Sequence, residues 1–362
     1  MEVSGLNLEE LGWSEWFQSH LEELGDGNSV PGRVAVEHRR GYTVLVPSDA
    51  HADGEIEADV PGRMRKEAQL SSDLPAVGDW VLVRLLGNES RGVIEAILPR
   101  RSKFSRKVAG FEVDEQVVAS NVDHLFLVSS LDLDLNLRRI ERYLTLAWDS
   151  GAQPVVILTK SDLHDNVEQA IADVSEVAPG VDVHAISSVS GDGYDALERY
   201  LTGSTIAVMG SSGVGKSTLI NHLRGDEQMK VADIRWDGKG RHTTTHRELL
   251  RLPQGGWIID TPGMRELQLW DASEGLEAAF SDIAQLATAC KFSDCEHETE
   301  PGCAVKQAIQ NKELDPARLE SYRKQLREMA ALARKLDKRL ANAEAKRWKQ
   351  LNKDARARAR LR

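Results

Sequence analysis

No stretch of this chain is apolar over the roughly 18 residues that a membrane-spanning helix needs, so no spanning segment is expected. The opening residues, MEVSGLNLEELGWSEWF, are acidic and lack the apolar core of a secretion signal, which predicts a cytoplasmic location. Cysteine is scarce, with Cys290, Cys295 and Cys303 alone. An odd number argues against a disulfide framework, and confinement of all three to 14 residues points to a metal. No internal repeat is evident. Wholesale disorder is excluded as well, because 41% of the residues are hydrophobic and 28% charged. At about 150 residues per domain, 362 residues predict two or three domains.

The overall charge of −11 speaks against nucleic acid, but it is unevenly spread. Residues 317–362 carry 16 Lys and Arg against 5 Asp and Glu, a net of +11 that leaves −22 on the remainder. Such a segregated basic tail is what a polyanion partner would meet.

Residues 1–30 read as an acidic, partly helical extension whose Trp13, Trp16 and Phe17 pack on a neighbour. Five short runs of period two follow, around Val34, Val44, Ile56, Leu82 and Val93 to Leu98, with Gly, Pro and Asp between them. Five such strands predict a small barrel over 31–108, of OB type in preference to an SH3-like one. The stretch Arg100 to Lys107 reads either as a solvated connector or as a phosphate-contacting strip in which Phe104 stacks on a base. From 109 to 270, apolar strand runs at 123–130, 154–159, 181–187, 205–210 and 256–260 alternate with helical patterns such as Leu137 to Trp148 and Val167 to Val177. That alternation predicts a mostly parallel sheet with helical crossovers. Short helices over 271–320 and a basic helical tail over 321–362 complete the division.

The segment Gly210-Ser211-Ser212-Gly213-Val214-Gly215-Lys216-Ser217-Thr218 fits G-x-x-x-x-G-K-[ST] and sits between an apolar strand and a helical run. Glycines let backbone N–H groups turn toward phosphates. Lys216 supplies a point charge to the β- and γ-phosphates, and the Ser217 hydroxyl suits Mg²⁺. Thr159-Lys160-Ser161-Asp162 follows the strand PVVIL and resembles the [N/T]KxD base-recognition motif of GTPases, with Thr159 in place of the commoner Asn, whose amide braces neighbouring loops. A carboxylate such as Asp162 accepts from the guanine N1–H and exocyclic amine, donors that adenine does not offer there, and the Lys160 stem can cover the base. Ser187-Ser188 after the next strand loosely matches a serine–alanine element whose backbone touches guanine. Asp260-Thr261-Pro262-Gly263 ends the strand GWII. It resembles the DxxG element of GTPases, a resemblance that implies that Asp260 would hold Mg²⁺ through water and that the Gly263 N–H would sense the γ-phosphate. Between these lies GKGRHTTT, in which Thr244 or Thr245 would ligate Mg²⁺ in a loop that orders with GTP. Met264 stands where many GTPases have a water-orienting Gln, so intrinsic hydrolysis is expected to be slow. His242 is the candidate catalytic residue beside Lys216, its rival reading being a brace for the backbone.

The set is complete but rotated. The base motif precedes the phosphate loop, which precedes the threonines and DTPG; circular permutation preserves a site that is spatial and not sequential. Farther on, Cys290, Cys295, His297 and Cys303 read C-x4-C-x-H-x5-C. Three thiolates and an imidazole complete a tetrahedral zinc shell with no open position, which is a structural site.

A barrel of OB type, TKSD, GSSGVGKS, GRHTTT and DTPG in permuted order, and this cysteine cluster together resemble the RsgA (YjeQ) family of ribosome-associated GTPases over residues 31–320. The resemblance implies a GTP hydrolase that acts in late maturation of the small ribosomal subunit and is stimulated by that subunit; the barrel and the basic tail are expected to bind its rRNA, and a monomer is expected. It implies Mg²⁺ and one structural zinc, and no membrane partner. Thr159 and Ser188 depart from the pattern, as does Gly213, where potassium-activated relatives carry Asn. Two other classes stay open: a GTPase serving a different RNA process, and an RNA-binding module with a vestigial nucleotide site. Intact Lys216, Ser217 and Asp260 oppose the second.

Overall fold

The computed structural model describes residues 5–24, 28–87, 90–107, 115–132, 135–225, 247–260 and 273–334. Strands β1 (Val30–Glu37), β2 (Tyr42–Leu45), β3 (Glu55–Asp59), β4 (Trp80–Leu85) and β5 (Arg91–Ile97) close on themselves in the order 1-2-3-5-4-1. The β3–β5 pair is parallel and the rest are antiparallel. This order, with the short helix α2 (Gly62–Glu67) between β3 and β4, is the OB-type barrel and not the SH3-like alternative. Period-two burial explains the closure: in β3, Ile56 and Ala58 face a core of Val34, Val44, Val81 and Ile94 while Glu55, Glu57 and Asp59 face water.

The stretch Arg100 to Lys107 is neither connector nor base-stacking strip. Lys103–Lys107 forms strand β6 and pairs antiparallel with β7 (Glu115–Ser120). Phe104 is 2% exposed and so is closed to a base. Arg100 is spent internally on Asp79 and on the carbonyls of Ser72 and Leu74, and Arg101 pairs with Asp123.

The second sheet runs β10 (Asp182–Ala185), β9 (Gln153–Thr159), β8 (His124–Ser130), β11 (Thr205–Gly210), β13 (Trp257–Asp260) and β12 (Glu248–Arg251). The first five are parallel and β12 is antiparallel. Helices α3 (Leu137–Ser150), α4 (Val167–Val177) and α5 (Lys216–Arg224) follow β8, β9 and β11. Asn136 and Asn166 start α3 and α4 by accepting the main-chain N–H of Arg139 and Gln169. The barrel continues into this sheet, because Val36 of β1 pairs with Glu248 of β12. Arg247 reinforces the junction with bonds to Glu37 (2.9 Å) and Gln116 (3.1 Å).

The N-terminal segment wedges into the same junction. It contains α1 (Glu15–Leu24), and Trp13 meets the Trp80 ring edge-on at 4.7 Å. Phe17 packs on Trp80 too, and the Trp257 indole donates to the Glu10 carbonyl. Buried Arg33 spans the interface, donating to the Leu11 carbonyl (2.7 Å) and the Thr205 hydroxyl (2.6 Å). Burial pulls its pKa down to about 10, against the pull of Asp123, so it stays charged at neutral pH.

Among the described residues, four helices form the C-terminal part: α6 (Ser273–Ala279), α7 (Ser281–Ala287), α8 (Ala304–Gln310) and α9, residues 316–334. They dock on α3. A side chain at Gly275 would come within 2.5 Å of the Asp149 nitrogen and the Thr145 carbonyl, so only glycine lets α6 cross there. Buried Arg318 grips Asp282 with two bonds (2.6 and 2.7 Å), reaches Glu141 of α3 at 3.0 Å, and donates to the carbonyls of Ala279 and Val177. Among the described residues, no helix is long and apolar enough to cross a membrane.

Candidate functional site

Five parallel strands send their carboxyl ends to one edge, where α/β sheets bind ligands. The loops after β9, β10 and β11 and the end of β13 therefore gather although 159 and 260 are far apart in the chain. Thr159 is the joint. Its hydroxyl donates to the Val214 carbonyl of the phosphate loop at 2.6 Å, and its side chain lies 3.5–3.6 Å from where a Gly215 Cβ would be. A threonine thus makes the brace that the sequence pattern assigns to an asparagine amide.

Ser161 N donates to the Ile186 carbonyl (3.2 Å), which binds the β9 loop to the β10 loop. The Ser187 hydroxyl donates to Asp162 Oδ1 at 2.6 Å and accepts from the N–H groups of Val189 and Ser190. That chain fixes the Asp162 carboxylate. Ser188 has its hydroxyl on the Tyr194 hydroxyl at 2.7 Å, so the extra oxygen relative to alanine is satisfied within the protein. Lys160 adopts a left-handed conformation, φ 59°, and its ammonium meets Asp132 Oδ2 at 2.5 Å. Asp132 is itself held by the Ser130 hydroxyl at 2.6 Å.

The phosphate loop is shaped by contact and by backbone sign. A Cβ on Gly210 would lie 2.3 Å from the Val128 carbonyl. Gly215, at φ 96°, caps α5 without a side-chain acceptor, so the first N–H groups of that helix are left for an anion. Val214 is buried and anchors the loop; Ser212, Gly213 and Ser217 are exposed, and Thr218 is half-buried. The Lys216 ammonium donates to the Ser211 carbonyl, and Arg139 of α3 donates to the Ser211 hydroxyl at 2.6 Å. Asp260 ends β13 half-buried. Burial raises its carboxyl pKa, and Arg224 opposes the rise. A cation arriving there would favour the carboxylate. His242, Thr244, Thr245 and Gly263 lie outside the described residues.

The second cluster is local. The donor atoms of Cys290, Cys295, His297 and Cys303 all lie within 4.8 Å of one another. Cys290 Sγ is 3.9 Å from Cys303 Sγ and 3.7 Å from His297 Nδ1, and Cys303 Sγ is 3.4 Å from that nitrogen. A tetrahedral zinc with bonds of ~2.3 Å to sulfur and ~2.0 Å to nitrogen needs edges of roughly 3.5–3.8 Å. The residues fit a zinc ion. Burial, aided by the Arg323 guanidinium, lowers the His297 pKa and favours the neutral imidazole that a ligand must be.

Sequence reasoning did not find Asp132, Arg139 or Tyr194. The first two follow a strand at the ligand-bearing edge, and that position is the signal that could have found them.

A phosphate loop at the central strand, a base motif bonded to it, and a rotated motif order define a circularly permuted P-loop GTPase. The comparisons agree: the RsgA GTPase model matches residues 97–270, and a 50S ribosome-binding GTPase model matches residues 205–338. The small ribosomal subunit biogenesis GTPase RsgA of Opitutus terrae is 47% identical, with 98% of this chain and 99% of that protein aligned. The RsgA 1 protein of Oceanobacillus iheyensis is 44% identical over 96% and 98%. Among solved structures, YjeQ from Thermotoga maritima shares 28% identity at a TM-score of 0.63 over 83% of this chain and 99% of that one. YloQ, described as a circularly permuted GTPase, shares 26% at 0.61 over 85% and 97%. The chain belongs to the RsgA GTPase family. It is a GTP hydrolase, with GTP as substrate and Mg²⁺ as cofactor.

Proposed function

We propose that this chain is a cytoplasmic, monomeric GTPase that binds the small ribosomal subunit through its rRNA and assists late maturation, with turnover stimulated by the subunit. The observation that carries the nucleotide half is the Thr159–Val214 bond, which joins base motif to phosphate loop. In this reading Asp162, oriented by Ser187, accepts from guanine, and Lys160 covers the ring. The Gly210–Thr218 loop cradles the phosphates, with Lys216 on the β- and γ-oxygens. Mg²⁺, held by Ser217, by Thr244 or Thr245, and through water by Asp260, neutralises phosphate charge. Gly263 senses the γ-phosphate. His242 orients the attacking water, a task Met264 cannot perform. Cys290, Cys295, His297 and Cys303 hold zinc, which staples the short helices α7 and α8.

The relatives' printed names support the partner. So do exposed cations on the barrel: Arg39 and Arg40 between β1 and β2, and Arg63 and Lys66 on α2. The loop between the first two strands is a nucleic-acid-binding edge of OB folds.

The test is GTP turnover with and without purified ribosomal subunits at fixed salt. Small subunits are expected to raise turnover, to be bound more tightly with a GTP analogue than with GDP, and to be released as salt rises. Equal binding of both nucleotide forms would defeat the switch, and preference for large subunits would defeat the partner. Replacing His242 with Ala is expected to cut stimulated turnover by at least about 100-fold while GTP binding changes little. Unchanged stimulated turnover removes His242 from the mechanism.

A further inference from the structure

Helix α3 carries two sets of contacts that face different ways. Arg138, Glu141, Arg142, Thr145 and Asp149 fall on one stripe at helical spacing, and that stripe meets the C-terminal helices. Arg138 pairs with Asp315, Glu141 with Arg318, and Arg142 with Glu328, while Thr145 and Asp149 back against Gly275. Arg139 stands one position off this stripe. Its guanidinium turns to the sheet edge and donates to the Ser211 hydroxyl at 2.6 Å. Ser211 is the second residue of the phosphate loop, and its carbonyl accepts from Lys216. One residue is thus gripped at its side chain from α3 and at its main chain from the lysine that the motif aims at phosphate.

We propose that Arg139 is a positioning residue for GTP turnover: it sets the Ser211 flank of the phosphate loop from α3, and docking of the C-terminal helices on α3 sets Arg139. A small shift of α3 would move its first turn, and Arg139 with it, because close-packed helices transmit displacement instead of absorbing it. Buried Glu141 and Arg318, each at most 4% exposed, make the far contact stiff. Arg139 acts through Ser211 and needs no contact with the reacting atoms. The proposal concerns intrinsic turnover, so its test contains no ribosome and its outcome is separate from the partner assignment above.

The full chain is assayed with GTP at limiting and saturating concentrations, and GDP affinity is measured alongside. Arg139→Ala is expected to lower kcat about tenfold while the GDP Kd changes less than about threefold. Arg139→Lys, which keeps one donor for Ser211, is expected to recover much of the loss. Combined with Arg318→Gln, the effects on kcat are expected to depart from additivity by at least about threefold. Asp315→Ala replaces Arg318→Gln in that cycle if the latter fails to fold. Wild-type kcat in Arg139→Ala, or a loss that lysine does not recover and that GDP affinity matches, overturns the positioning role. Additive effects in the cycle overturn the link to the C-terminal helices.

Discussion

The two sites of this molecule are assembled on opposite plans. The metal cluster draws all its ligands from 14 consecutive residues, between α7 and α8. The proposed nucleotide site draws, among the described residues, on the ends of four strands, from Thr159 to Asp260, which the parallel sheet brings to one edge. A local site stabilises the piece of chain that contains it. A dispersed site depends on a sheet that stands without it, with a core of Ile206, Ala207, Ile258 and Val156 fully buried under the loops. Losing a ligand from the first should therefore cost structure, and losing one from the second should cost chemistry.

The sharpest break in that contrast is at the metal. Removal of zinc by a chelator, or Cys303→Ser, is expected to destabilise the α7–α8 region by several kcal/mol. Hydrogen exchange should then rise around residues 288–312 while β8 and β11 stay protected, and metal analysis should fall from one zinc per chain to none. Protection lost equally in both regions would show that the cluster holds the whole molecule. Next in size, Lys216→Ala is expected to lower kcat/KM by about 10²-fold or more with the melting temperature within a few degrees of the parent. A large fall in melting temperature would erase the distinction between the two plans. The smallest effect sharpens it. Thr159→Val keeps shape but deletes the hydroxyl bond to Val214, and the loss of one buried hydrogen bond of about 1 kcal/mol should weaken GDP binding roughly fivefold. Unchanged GDP affinity would mean that the base motif and phosphate loop are aligned by the strands alone.

The same contrast explains what could be read from the sequence. The metal cluster needed only spacing, and TKSD and the phosphate loop needed only motif and strand context, so these described segments were legible in the chain. The barrel strands announced themselves by alternation, as in Glu55 to Asp59. Strand β6 did not, because its cations masked a pattern in which Phe104 and Ser105 turn inward. Strand β12 is four residues long and offers no period to count. Asp132 and Arg139 escaped for a different reason: an acid in a polar turn and a base in the first turn of a helix look solvated until the loops they bond to are in place. The parallel pairing of β3 with β5, which separates the two barrel types, is likewise a property of topology and leaves no mark on either strand.

The junction between barrel and catalytic sheet has a mechanical consequence. Arg247 comes two residues after Thr245 in the chain, and its guanidinium is tied to Glu37 of the barrel and Gln116 of β7. One residue farther, Glu248 is hydrogen-bonded into strand β1. The chain that follows the threonines is therefore fixed to the barrel at Arg247 and Glu248, and Glu248 in turn lies opposite Asp260 of β13 in the ladder, so barrel and strand end share one residue.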